Sequence, residues 1–130
     1  MEKQKTILIV DDEKTNREVL QNFLKKVFRE PEYCYMEAEN GDIALDIFTA
    51  EPEKIGLILT DFNMPFRGDQ LAKGVRETGS KVPIIVVTFA FMPDYKEKGF
   101  DALVEKPISV GNLVRTIIKW TGFEASIRSV

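Results

Sequence analysis

The sequence contains no histidine. That removes Ser/His/Asp and Cys/His catalysis from the chain. It also removes every imidazole-ligated metal site, leaving hard cations held by oxygen. A single cysteine, Cys34, excludes an intramolecular disulfide. It lies in the strand-like run Tyr33-Cys34-Tyr35-Met36 and reads as a packed residue rather than a nucleophile. No apolar run reaches the roughly 18 residues of a membrane-spanning helix. Met1 to Lys5 leads straight into a strand pattern, so neither a transmembrane segment nor a signal peptide is expected. The absence of disulfides fits a reducing compartment, and the expected location is cytoplasmic. Basic residues are in deficit: 18 Lys and Arg face 21 Asp and Glu, a net charge of −3. A domain with that balance is not expected to hold nucleic acid by neutralising phosphates.

What is present suffices for one folded unit. The chain has 130 residues, 44% of them hydrophobic, the size and apolar share of a single domain with its own core. Thr6-Ile7-Leu8-Ile9-Val10 is a β-branched run that reads as a fully buried strand, ending at Asp11-Asp12. From Lys14 to Arg29 the residues Val19, Leu20, Phe23, Leu24, Val27 and Phe28 form one helical stripe, stopped by Pro31. Tyr33 to Ala38 is a second strand. Asn40 is placed to cap a helix carrying Ile43, Ala44, Ile47 and Phe48. A third strand runs through Leu57-Ile58-Leu59 to Asp61. Then come a helix from Asp69 to Glu77, a strand from Pro83 to Val87 before Thr88, and a short helix from Asp94 to Lys98. Ala102-Leu103-Val104 is the fifth strand and ends at Lys106-Pro107. Ser109 caps a last helix with Val110, Leu113, Val114, Ile117 and Trp120 on its stripe. Residues 1–122 are expected to form the domain, and 123–130 a tail or the start of a linker.

Alternating strands and helices predict an α/β fold, a parallel sheet with helices on both faces. In such sheets ligands collect at the carboxyl ends of the strands. Those ends carry Asp11 and Asp12, then Asp61, Thr88 and Lys106. Carboxylates gathered in one pocket raise each other's pKa, and a divalent cation relieves the repulsion. With oxygen ligands alone, Mg²⁺ or Mn²⁺ is the natural ion. Taken singly, each residue has a structural explanation: Thr88 or Asn63 as a turn former, Lys106 as a solvated lysine. Their order and spacing carry the signal.

Those residues reach a family. From Lys5 to Thr121 the chain resembles the receiver domain of two-component response regulators. The matching pieces are Asp11-Asp12-Glu13, Asn40-Gly41 with Ala44-Leu45, Asp61-Phe62-Asn63-Met64-Pro65, Thr88, Gly99 and Lys106-Pro107. The resemblance implies a flavodoxin-like five-stranded sheet in the order 2-1-3-4-5. It implies that Asp61 accepts a phosphoryl group from a histidine kinase or histidine phosphotransfer protein in a Mg²⁺-dependent reaction. Asp12 would bind the metal directly, Asp11 mainly through water, and Asn63 through its backbone carbonyl. Thr88 and Lys106 would bind phosphoryl oxygens, Lys106 being aimed inward by a cis bond to Pro107. The domain would then be a switch that catalyses its own phosphorylation and dephosphorylation, not an enzyme acting on others. Its output would be a domain in cis or a partner at the face of the fourth helix, fifth strand and fifth helix.

The chain departs from the family pattern in four places. Gly68 arrives one residue early after Met64-Pro65, which implies a shorter loop beside Asp61. Phe89 follows Thr88 where a small residue is usual. Leu103 stands in place of the fifth-strand aromatic, and Phe100 in place of a small residue. Phe89 and Leu103 motivate an alternative reading, a docking module that acts independently of phosphorylation, against which the intact acidic pocket argues. Asp11-Asp12-Glu13-Lys14 lacks the Asp-x-Asp of haloacid-dehalogenase phosphatases, and no Gly-rich turn follows the first strand as dinucleotide binding requires.

Overall fold

Three short runs rich in Val, Ile and Leu are buried on both sides, the signature of central parallel strands covered by helices on each face. The computed structural model describes residues 5–64 and 68–125. The strands are β1 (Lys5–Val10), β2 (Tyr33–Ala38), β3 (Ile55–Asp61), β4 (Ile84–Thr88) and β5 (Ala102–Glu105). All neighbours pair in parallel, in the order β2-β1-β3-β4-β5, as expected from the sequence. The helices are α1 (Lys14–Leu24), α2 (Gly41–Ala50), α3 (Gly68–Glu77) and α4 (Val110–Thr121). The expected shortening of the loop before Gly68 falls on residues 65–67, outside the described residues, as do tail residues 126–130.

Strand side chains alternate between the two faces. Leu8, Val10, Ile58 and Val86 meet Ala44 and Phe48 of α2 and Leu71 and Val75 of α3. Ile7, Ile9, Leu57, Leu59 and Val87 meet Leu24 of α1 and Leu113 and Ile117 of α4. Each such side chain stabilises the fold by about 2 kcal/mol through removal from water. Local chemistry sets the helix starts. Asn40 Oδ1 accepts the Ile43 N–H at 2.9 Å, and Ser109 Oγ accepts the Asn112 N–H at 3.5 Å.

Three expectations need correction. First, α1 ends at Leu24, not Arg29. Beyond it, Lys26 and Val27 donate to carbonyls three residues back, a tightened turn. Further along, the Phe28 carbonyl accepts the Tyr35 hydroxyl at 2.6 Å and the Arg29 carbonyl accepts the Tyr33 N–H at 3.0 Å, which tie the segment to the start of β2. Second, Val19 is 64% exposed, and Ile43, Val110 and Trp120 are exposed as well, so these four lie off the buried stripes. Third, the helix expected over Asp94–Lys98 is absent. The N–H groups of Glu97, Lys98 and Gly99 bond the carbonyls of Asp94, Tyr95 and Lys96 in overlapping turns. Pro93 and Gly99 leave too few residues between them to nucleate an α-helix. Gly99 has φ +98°, a backbone that L side chains avoid. The expected output face therefore lacks its fourth helix: residues 89–101, β5 and α4 occupy that side.

Residues beyond Gly122 also contribute to the core. Phe123 is buried beside Phe28 and Tyr33, with ring centroids 6.0 and 4.9 Å away. A Cβ on Gly56 would lie 2.9 Å from the Phe123 ring, so the glycine makes room for it.

Candidate functional site

The register places the site. Val10 is level with Thr60, and Asp61 is level with Val87, so the carboxyl ends of β1, β3 and β4 open onto one place. Asp11 continues β1 by donating its N–H to the Ala38 carbonyl at 3.1 Å. Its side chain is buried, and Oδ1 accepts the Glu13 N–H at 2.9 Å. Asp12 beside it is exposed. Asp61 is the last residue of β3 and is 9% exposed. Its Oδ1 accepts the Asn63 N–H at 3.3 Å, and its Oδ2 lies 3.5 Å from Lys106 Nζ. Carboxylate oxygens of Asp11, Asp12 and Asp61 all lie within 4.8 Å of one another.

Burial pushes the Asp11 carboxyl above its ordinary value, and the Asp61 charge pushes the same way. The Glu13 N–H and the Lys106 ammonium oppose the rise without cancelling it. The cluster thus holds more negative charge than its own cations balance. Oxygen donors converging in this way fit a hard divalent cation.

The structure brings Asp11, Asp12, Asp61 and Lys106 together and keeps Asn63 adjacent through its N–H. Thr88 ends β4 and is fully buried, and its Oγ1 accepts the Ala90 N–H at 3.0 Å. The Lys106 N–H donates to the Thr88 carbonyl at 2.9 Å, which ties the β5 end to β4. The Lys106–Pro107 bond is cis.

Two residues that the sequence reading did not assign to the site, Arg17 and Phe23, shape it. Arg17 on α1 donates Nη1 to the Asp11 carbonyl at 2.6 Å and Nε to Glu37 Oε1 at 2.9 Å. It locks the acidic loop to α1 and β2. An arginine on the polar side of a helix reads as solvated, and its partners are fixed only by the tertiary fold. Phe23 on α1, with exposed Val19 and Val110, borders a cavity of about 420 Å³ whose polar end is Asp11, Asp61 and Lys106. The Val19 exposure that breaks the core stripe supplies this apolar rim.

The model of the response regulator receiver domain matches residues 7–118. The chain belongs to that family. Receiver domains are phosphoacceptor switches of two-component signalling rather than catalytic enzymes. The chain is 37% identical over 117 residues to histidine kinase P4 of Formosa agariphila, covering 84% of this chain and 8% of that protein. It is 29% identical over 126 residues to the sensor histidine kinase GacS of Pseudomonas protegens, covering 89% of this chain and 13% of that one. Among solved structures, a receiver domain protein from Clostridium thermocellum shares the fold with a TM-score of 0.79 at 21% identity, over 91% of this chain and 94% of that one. The Saccharomyces cerevisiae Ssk1 receiver domain, crystallised with the histidine phosphotransfer protein Ypd1, gives a match with a TM-score of 0.76 at 26% identity, over 94% of this chain and 92% of that chain. The receiver thus spans about a tenth of the curated relatives it matches. Among the described residues, no helix is long and apolar enough to cross a membrane.

Proposed function

We propose that Asp61 is the phosphoacceptor and that its donor is a phosphohistidine on a histidine kinase or histidine phosphotransfer protein. The observation that carries this is the 3.5 Å approach of Lys106 Nζ to Asp61 Oδ2 within a cluster that also holds Asp11 and Asp12. A carboxylate is a nucleophile in its own right, so no general base is needed. An Asp61 oxygen attacks phosphorus, the P–N bond to the donor imidazole breaks, and the ring nitrogen keeps the electron pair. Charge then accumulates on the equatorial phosphoryl oxygens, where Lys106 is placed to neutralise it. The Thr88 hydroxyl accepts from Ala90 and keeps its own hydrogen to offer a phosphoryl oxygen. Asp11, Asp12, Asp61 and the backbone of Asn63 would hold Mg²⁺, with Mn²⁺ able to replace it. The ion supplies charge neutralisation for the transferring group. The apolar rim of Val19, Phe23 and Val110 offers a contact surface for the donor protein beside Asp61. The Ypd1 partnership of the Ssk1 neighbour supports a donor of that kind.

Acetyl phosphate with Mg²⁺ provides the test. The wild-type chain is expected to gain one hydroxylamine-sensitive phosphate, and Asp61→Asn to gain none while keeping its thermal unfolding midpoint. Undiminished labelling of Asp61→Asn would place the acceptor elsewhere and overturn the reading.

A further inference from the structure

Phe89 directly follows Thr88 at the end of β4, and its side chain is 73% exposed. A large ring so placed gains little from burial. It is nevertheless engaged. Lys106 Nζ stands 5.6 Å from its centroid, within cation–π range. The same ammonium is 3.5 Å from Asp61 Oδ2, so Lys106 is held between a carboxylate and an aromatic face. Phe89 also lines the cavity whose polar end is Asp61. The backbone around it is fixed on both sides, by β4 before it and by the Ala90 N–H on Thr88 Oγ1 after it. The backbone from which the ring projects is therefore set by the strand end, and the Lys106 ammonium is the partner of the ring itself.

We propose that Phe89 is a positioning residue that prolongs the phosphorylated state. Its ring covers the open side of Lys106, keeps the ammonium on the phosphoryl group, and narrows the path by which water enters. The inference rests on Asp61 being the phosphoacceptor. Loss of the phosphate is a displacement at phosphorus. A water oxygen forms the new O–P bond, and the P–O bond to Asp61 breaks. Asp61 leaves as the carboxylate with the electron pair, the water proton passes to solvent, and inorganic phosphate departs. The attacking water must arrive through the cavity mouth, and there the ring displaces it. Covering of the same mouth slows entry of small phosphodonors, so both rates rise together when the ring is removed.

The experiment compares the wild-type chain with Phe89→Ala and Phe89→Tyr. Each is loaded with acetyl phosphate and Mg²⁺, stripped of donor, and followed as the acyl phosphate decays. Phe89→Ala is expected to decay about fivefold faster, the scale of a lost exposed cation–π contact. Phe89→Tyr keeps the ring and restores the wild-type lifetime. Thermal unfolding midpoints stay equal, because the side chain is largely exposed. In the unphosphorylated protein, the Lys106 Hε resonances move downfield in Phe89→Ala as ring shielding disappears. Equal lifetimes in wild type and Phe89→Ala overturn the proposal. So does a Phe89→Tyr variant as short-lived as Phe89→Ala, and so do unshifted Lys106 resonances. A wild-type chain that takes no label at all overturns the phosphoacceptor reading and this inference with it. A labelled chain with unchanged lifetimes overturns this inference alone.

Discussion

The two ends of the sheet are built on opposite principles. At the carboxyl end, Asp11 and Asp61 are buried close together with exposed Asp12 beside them, and Lys106 balances only part of their charge. At the amino end, the rings of Phe28, Tyr33 and Phe123 pack edge to face or tilted, 4.9 to 6.0 Å apart. The Tyr33 hydroxyl donates to the Glu124 carbonyl at 3.2 Å and accepts the Glu124 N–H at 2.8 Å. Lys5 Nζ sits over two of the rings, 5.3 and 5.7 Å from the centroids of Tyr33 and Phe123. One pole concentrates like charge, and the other concentrates apolar packing. Substitutions that far apart with no shared partners should act independently.

The comparison can be broken most sharply at Phe123. Phe123→Ala removes a buried ring from the amino-end cluster and should cost about 3–5 kcal/mol in chemical denaturation. Mg²⁺ affinity, measured calorimetrically on the folded variant, should not change. A loss of metal affinity there would show that the poles are coupled. At the other pole, Asp12→Ala should weaken Mg²⁺ binding about tenfold or more, the scale on which even outer-shell groups act. It should leave the metal-free unfolding midpoint unchanged or slightly higher, because a like charge has been removed. Unaltered affinity in titration would remove Asp12 from the metal site.

The smallest effect concerns Asp11 and sharpens the contrast through pH. Burial raises its carboxyl pKa in the folded state, so folded protein holds this proton more tightly than the unfolded chain does. Below the unfolded value of about 4, both states are protonated and the group contributes nothing. As pH rises through the window up to the raised folded value, ionisation increasingly destabilises the fold. Asp11→Asn should therefore raise the unfolding midpoint of metal-free protein, by a margin that grows from about pH 4 up to the raised folded value and is constant above it. Added Mg²⁺ should stabilise the wild-type chain and not the variant to the same degree. A gain that is flat with pH would mean that the carboxylate charge is not its source.

What the sequence disclosed follows the distance over which each feature is decided. The buried strands, the Asn40 and Ser109 caps and the ends of the strands depend on neighbours a few residues away, and they were legible. Once the order 2-1-3-4-5 is fixed, Asp11, Asp12, Asp61 and Lys106 must converge, so the centre of the site was legible too. Contacts across the fold were not. Beyond α1 the chain tightens at Lys26 and Val27 and is tied to the next strand by Tyr33 and Tyr35, contacts that no residue pattern reveals. Arg17 gains its role from Glu37 and a backbone oxygen of the loop before its own helix. The turns at Asp94–Lys98 carry helix-forming residues, but too few of them lie between Pro93 and Gly99. The direction of the Thr88 hydroxyl depends on the Ala90 N–H, which no pattern of residue types reveals.

The bond between Tyr33 and Glu124 has a further consequence. Lys5 enters β1 beside the Tyr33 ring, and Glu124 leaves α4 bonded to the hydroxyl of that same residue. Entry and exit thus share one small patch, at the pole away from the acidic residues. A unit built this way can be spliced into a host polypeptide through a narrow stalk, with the host backbone crossing no part of the reacting end. The geometry suits a module that relatives carry as a minor fraction of their length. It equally suits circular permutation, in which a short flexible bridge closes the old ends and leaves the sheet order intact.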